Sequence, residues 1–375
     1  MGARLQIRSI ETCDVAEIYI SATGDPTTSV QNQAENLFSQ IKETLRSQNA
    51  HILQERIFGT RKGLEAAGSV RSKIYSDFDD GVAPSYLVAD EGAVGPISGV
   101  QVHAIASDSK PQVIQVEGKA CGRIFRGAGR AYLTLSSISN KTIGESDKQA
   151  HAMMEKAESI LKQFGADFLH VPRTWMWLGD ILSWYDNFNR VRNQFFKERG
   201  LIGEGTRQSM PASTGIGLYL IDGSRCALDL VAVLEPREAT RYLQAVGRQQ
   251  CALEYGSAFS RASVAITPAG ETIFVSGTAS IDASGATTHI GDAAGQVSTT
   301  IENVRAVLSD VNAGDEDVVQ AVIYCKTPEV EKIFSDLKPS ITWPYVTVTC
   351  DICRPDLLFE IEATAVRSTS RTWRY

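Results

Sequence analysis

Apolar and polar positions follow two periods along this chain. Residues 359–364, Phe-Glu-Ile-Glu-Ala-Thr, put Phe359, Ile361 and Ala363 on one side and Glu360, Glu362 and Thr364 on the other. That alternation predicts a β-strand with one apolar face. Elsewhere the period is helical. Ala34, Phe38, Ile41 and Leu45 recur at i, i+4, i+7 and i+11, as do Met153, Ala157, Ile160 and Phe164, and again Val297, Ile301, Val304 and Leu308. Each set forms one face of a helix. A strand-like run precedes each helix (18–25, 131–139, 273–281) and another follows it (53–60, 168–178, 318–327). Each stretch closes with a proline, Pro84, Pro211 or Pro344, and an alternating run at 99–106, 226–234 or 358–366.

Three repetitions of one order of elements predict a triplicated α+β chain, each unit a mixed sheet with helices on one face. The polar, proline-bearing stretches 107–112 and 233–240 are the expected joints. They give units 1–110, 111–238 with an inserted helical segment near 172–200, and 239–375. Three such units can pack around a pseudo-threefold axis as the subunits of a trimer do. A single chain then needs no homotrimer, and a monomer or low-order oligomer is expected. Lining up the closing strands places Gln101, Asp229 and Glu360 in one column and His103, Val231 and Glu362 in the next. The column holds two titratable carboxylates of different length and one amide. A solvated polar face is the ordinary reading of such a column. A single competent site at Glu360, with the other units as scaffold, is the functional one.

Composition narrows the chemistry. The 375 residues are 43% hydrophobic and 22% charged, with a net charge of −7 and a pI near 5.4. Without a run of Lys or Arg, a small-molecule partner is favoured over nucleic acid. No apolar run approaches the roughly 18 residues of a membrane span, and the N-terminal stretch has no apolar core, so a cytoplasmic setting is expected. Cys350 and Cys353 share the spacing of a redox or metal pair. They lie in a strand-like run without a second pair, so the seven cysteines read as free thiols. No metal or nucleotide motif appears, and neither metal nor cofactor is expected. The stretch Pro-Ala-Ser-Thr-Gly-Ile-Gly at 211–217 fits no Walker or dinucleotide pattern. Its Thr214 and Gly215 can still aim backbone N–H groups at a carboxylate. Trp175, Trp177, Trp184 and Tyr185 read as core or as the wall of a cleft. Arg190 and Arg192 read as a solvated helix face or as anion ligands. His289 reads as a loop residue with a structural role or as a second acid or base.

The third unit resembles the Rid/YjgF family in Phe-Val-Ser-Gly-Thr-Ala-Ser-Ile (274–281), the helix at 297–308, 318–327 and the closing 359–366. The resemblance implies α+β subunits with ligand clefts between them. It makes Glu360 the counterpart of the cleft glutamate used by the family's enamine and imine deaminases. Those deaminases also carry an Arg shortly after the late proline. Here that stretch reads Pro344-Tyr345-Val346-Thr347, which leaves Tyr345 as the substrate-binding candidate there.

Residues 120–375 are similar to the chorismatases, which remove the enolpyruvyl group of chorismate as pyruvate. The shared motifs are 172–181, 211–217, Ala-Phe-Ser-Arg-Ala at 258–262, 276–296 and 351–362, in that order. The Pro/Arg-rich stretch before the Phe-x-Arg motif is absent. This resemblance makes Arg261 the carboxylate clamp, with Phe259 beside it and Arg173 as a further ligand. It makes Cys353 and Ala262 the pair that shapes the product. A Cys at position 353 resembles the 3-hydroxybenzoate formers, and Ala262 resembles those giving a dihydroxy-cyclohexadiene acid.

Overall fold

Strand and helix alternate as the two periods require, three times in one order. The computed structural model describes residues 3–203, 208–337, 341–367 and 371–374. In the first unit the hairpin Arg4–Glu11 and Val15–Thr23 leads to helix Val30–Ser47, strand Ala50–Gly59, helix Arg61–Tyr75, strand Ser85–Val88 and closing strand Ile97–Ser107. The second repeats this with Lys119–Gly127, Arg130–Ile138, helix Ser146–Gln163, Arg173–Leu178, helix Tyr185–Glu198, Ala212–Ile216 and Cys226–Glu235. The third does so with Ala262–Thr267, Gly270–Ala279, helix Ala293–Asp310, Val318–Cys325, helix Pro328–Leu337, Tyr345–Thr349 and Phe359–Arg367. In every sheet the closing strand returns to the middle, between the second and third strands, and the fourth lies parallel to the third at one side.

The first helix of each unit forms where the i, i+4, i+7 spacing lies, and its apolar stripe is buried against its own sheet. Ser29 caps the first of them at Asn32 N, and Asp292 caps the third at Gly295 N. A second helix follows the third strand in every unit. The helical segment expected as an insertion near 172–200 is therefore a shared element. Its first part, Arg173–Leu178, is a strand buried on both faces, and only Tyr185–Glu198 is α-helix.

Two short strands tie the units together. Tyr219–Leu220 pairs with Ser85–Val88, and Arg371–Arg374 pairs with Arg4–Glu11, so the last described strand completes the first sheet. Three cores lie between a sheet and its helices. A fourth, including Tyr19, Phe58, Tyr132, Trp175, Trp177, Phe274, Tyr324 and Val346, fills the centre where the three sheets turn their other faces together. This is the pseudo-trimer. The column of closing-strand residues points into that centre, because the alternate residues Val100 and Val102, Leu228 and Leu230, and Phe359 and Ile361 face the helices. No helix among the described residues is long and apolar enough to cross a membrane.

Candidate active site

Each column residue faces the neighbouring unit, in cyclic order. Gln101 donates to the carbonyl of Ala321 in the third unit at 2.8 Å, and Asp229 binds Arg56 of the first at 3.1 Å. Glu362 binds Arg173 and Trp175 of the second unit at 2.8 and 2.9 Å. The last of these three clefts opens into a cavity of about 670 Å³. Glu360 stands at its floor.

The local sequence explains the position of Glu360. Its strand is central, and the register against Gly270–Ala279 slips between Val275 and Thr278. That bulge re-aims the backbone beside the carboxylate. Gly277 sits in it, where a Cβ would fall inside the Glu360 carboxylate, so the glycine is what leaves the acid room. Glu360 is 4% exposed, and no hydrogen bond to it is found among the described residues. Burial first, and then the charge of Glu362, push its carboxyl up to about 8, against the opposing pull of Arg173 and Arg354. At neutral pH it is mainly a carboxylic acid.

Three arginines share the cavity wall with one further carboxylate, Asp186. Arg192 reaches it from helix Tyr185–Glu198, Arg261 from the segment before Ala262–Thr267, and Arg354 from the loop before the closing strand. Arg192 donates to Asn189 at 2.6 Å, but its buried Nε has no partner. Arg261 donates through Nε to the Gln250 carbonyl, and its buried Nη2 has none. Tyr255 lies between Arg261 and Arg354, which stand 5.3 and 5.2 Å from its ring, and Phe259 lies between Arg192 and Arg261. Two buried guanidinium N–H groups without partners, opposite an unpaired carboxylic acid, fit an anionic ligand. Trp184 and Tyr185 form an aromatic wall.

Cys353, Arg261, Phe259, Gly215 and Glu360, all singled out from the sequence, line this one cavity. Cys353 is no nucleophile at neutral pH, since burial and Glu360 push its thiol up to about 12. Arg173 does not line the cavity. It is 2% exposed and spent on Glu362 and on the Thr214 hydroxyl at 2.6 Å. Thr214 lies beneath the floor, its oxygen also accepting from Gly277 N at 3.1 Å.

Ala262 is misplaced by the sequence reading. One step along a strand from Arg261, it points the other way, into the core against the helices. Tyr345 is misplaced as well. Its strand, Tyr345–Thr349, packs toward the first unit, where Val346 would collide with any side chain at position 99. The strand that borders the Glu360 cavity at the corresponding position is Ala212–Ile216 of the second unit. Trp175 and Trp177 belong to the central core, Arg190 binds Asp147 outside the cavity, and His289 is a half-exposed loop residue away from it.

Asn189 and Tyr255 are missed from sequence, as is the lining role of Arg354. They come from three separate segments, and no local pattern singles them out.

Residues 252–367 match the family model described as Endoribonuclease L-PSP. A 3-hydroxybenzoate synthase from Streptomyces hygroscopicus is 29% identical over 232 residues, which cover 54% of this chain and 65% of that protein, just under two thirds of its length. A 3-aminoacrylate deaminase, RutC, from Acinetobacter baylyi is 26% identical over 106 residues, 27% of this chain and 84% of that protein. A crystal structure of a chorismatase superposes with a TM-score of 0.56 at 21% identity, covering 72% of this chain and 82% of that one, a likeness of fold.

Proposed function

Taking as premise a chain of Rid/YjgF-type units on a fold shared with a chorismatase, we propose that it cleaves the enol ether of chorismate or a related enolpyruvyl acid and releases pyruvate. The observation that carries this reading is the buried, unpaired Glu360, protonated near neutral pH, facing buried arginines with unpartnered N–H groups. Such a substrate is a dianion. Arg192, Arg261 and Arg354 supply charge for two carboxylates, and Arg suits their bidentate capture. Glu360 then donates its proton to the enolpyruvyl methylene. The oxocarbenium carbon that results is attacked by water, and Glu360 takes back the proton lost from that water. The hemiketal collapses to pyruvate and a dihydroxy-cyclohexadiene acid. Alternatively, a ring rearrangement gives 3-hydroxybenzoate and pyruvate with no net water.

Pyruvate release from chorismate, coupled to lactate dehydrogenase, tests the reading. Glu360→Gln keeps shape but cannot protonate carbon, and turnover is expected to fall by at least about 10²-fold. Wild-type rate is expected to fall as pH rises through about 8, where the acid loses its proton. Equal turnover in the variant would remove Glu360 from the role of acid, and no turnover by either protein would leave the chain a binder of small carboxylates. A second reading, enamine or imine hydrolysis, is favoured by one observation. Arginines elsewhere in the cavity replace the one lacking after Pro344, so a single carboxylate could also be held. Accelerated ammonia release from a freshly generated 2-iminoacid, without pyruvate release from chorismate, would select it.

A further inference from the structure

We infer that Glu362 is a positioning residue: by taking up Arg173 and Trp175 of the second unit, it leaves Glu360 unpaired at the cavity floor. The proposal rests on Glu360 acting as the acid described above.

Both oxygens of Glu362 are occupied, one by Arg173 Nη2 at 2.8 Å and the other by Trp175 Nε1 at 2.9 Å. The side chain is 5% exposed and lies two residues from Glu360 on the same face of the strand. Arg173 is thereby engaged by Glu362, its Nη2 also donating to the Thr214 hydroxyl and its guanidinium lying 4.7 Å from the Trp175 ring. The second cleft is arranged differently. There the column residue is Asp229 and the residue two places on is Val231, which cannot bind a cation. A neighbouring-unit arginine, Arg56, falls on Asp229 itself. Asp229 also accepts from Ser85 and from Ser137 N, and the carboxylate is fully engaged.

The groups that face Glu360 from each packed element are few. Tyr324 is its cross-strand partner, Cys350, Cys353 and Arg354 approach from the preceding loop, and Tyr185 approaches from its helix. Arg173 approaches from the second unit, and Arg192 and Arg261 stand across the cavity. Burial holds both thiols and both phenols neutral across the working range. Three charges then set the acid: Glu362 raises it, and Arg173 and Arg354 lower it, with Arg173 drawn toward Glu362 by its ion pair.

The test follows Glu360 directly, by the infrared carboxylic-acid band that Glu360→Gln removes, alongside the pH profile of pyruvate release. In Glu362→Gln the titration midpoint of that band is expected to fall by about one pH unit or more, since the like charge is gone and Arg173 is released. Arg173→Met is expected to move it upward, and the double variant to return it toward the wild-type value. A midpoint that stays put in a folded Glu362→Gln overturns the inference. If that variant does not fold, an unmoved midpoint in Arg173→Met does so instead. A band that shifts as expected in a protein inactive on chorismate upholds the inference and rejects the proposed reaction. Pyruvate release with an unshifted band does the reverse.

Discussion

The second and third clefts of this molecule start from one plan and end differently. Both place a carboxylate of the closing strand opposite a neighbouring unit, and both have a register slip in the second strand beside it, at Leu135/Ile138 and at Val275/Thr278. In the second cleft the bulge holds Ser137, whose φ of 54° aims its N–H at Asp229. Ser85 and Arg56 complete the shell, and Asp229 is fully buried. In the third the bulge holds Gly277, which turns its N–H to Thr214 and leaves space beside a longer carboxylate. One carboxylate is satisfied by the fold, and the other is left for a ligand. Duplication supplies the geometry. Which cleft opens depends on a glycine, a second glutamate and one methylene.

The largest expected effect separates structural from chemical use of these acids. Asp229→Asn leaves the buried Arg56 without its charge partner. It is expected to cost about 3–5 kcal/mol by chemical denaturation. Below the melting transition, kcat/KM at the third cleft should stay within about twofold, because Asp229 touches nothing in the cavity. Loss of activity with stability intact would mean that the second cleft takes part in the reaction.

Glu360→Gln should behave in the opposite way. Its carboxyl titrates near 8 in the folded protein and near 4.5 when unfolded. Folding therefore takes up a proton between those values, and wild-type stability falls as pH rises from about 4.5 to about 8. The amide does not titrate. The variant should gain on wild type across that window and stay ahead above it, by on the order of 5 kcal/mol, each pK unit being about 1.4 kcal/mol. Parallel stability curves from pH 5 to 9 would show Glu360 to be an ordinary solvated acid.

Gly277→Ala comes next. A methyl inside the Glu360 carboxylate forces the side chain toward the cavity or the strands apart. An overpacking cost of about 1–3 kcal/mol is expected, with a lower kcat, since the acid moves from its place. The matching change in the second cleft, Ser137→Gly, removes an Oγ that bonds Ser85 and should leave kcat untouched.

Much of this was legible in the sequence, and the rest has a physical reason. The triplication showed because three sheet-covering helices need the same stripe, and those stripes are buried as the spacing requires. The centre-facing column was readable from period two alone. The second helices were not. Arg61–Tyr75 is interrupted by two glycines, and Pro328–Leu337 spans only ten residues, under three turns, so neither repeats the i, i+4, i+7, i+11 spacing of the first helices. For the site, Glu360, Cys353, Arg261, Phe259 and Gly215 were found from motifs. Tyr345 was placed by analogy within its own unit. A cleft is built between units, however, and the strand facing Glu360 comes from the unit before it. Asn189, Tyr255 and Arg354 meet only through tertiary contacts.

The smallest effect sharpens the comparison at a single residue pair. From motifs, Cys353 and Ala262 stand together as the residues that shape the product. The structure separates them, with Cys353 on the cavity wall and Ala262 one strand face away, packed with Val264, Val275 and Val304. A buried residue behind the sheet cannot touch a ligand, so Ala262→Gly should cost about 0.5–1 kcal/mol of stability and leave the product ratio unchanged. Cys353→Ala removes a thiol from the wall beside Glu360 and alters the space in which water can approach the cation. The ratio of 3-hydroxybenzoate to the dihydroxy-cyclohexadiene acid, measured by chromatography after full conversion, should move in Cys353→Ala alone. If Ala262→Gly moves it equally, the sheet transmits the change through the backbone at Arg261, and the cavity wall is less rigid than its buried, paired strands imply.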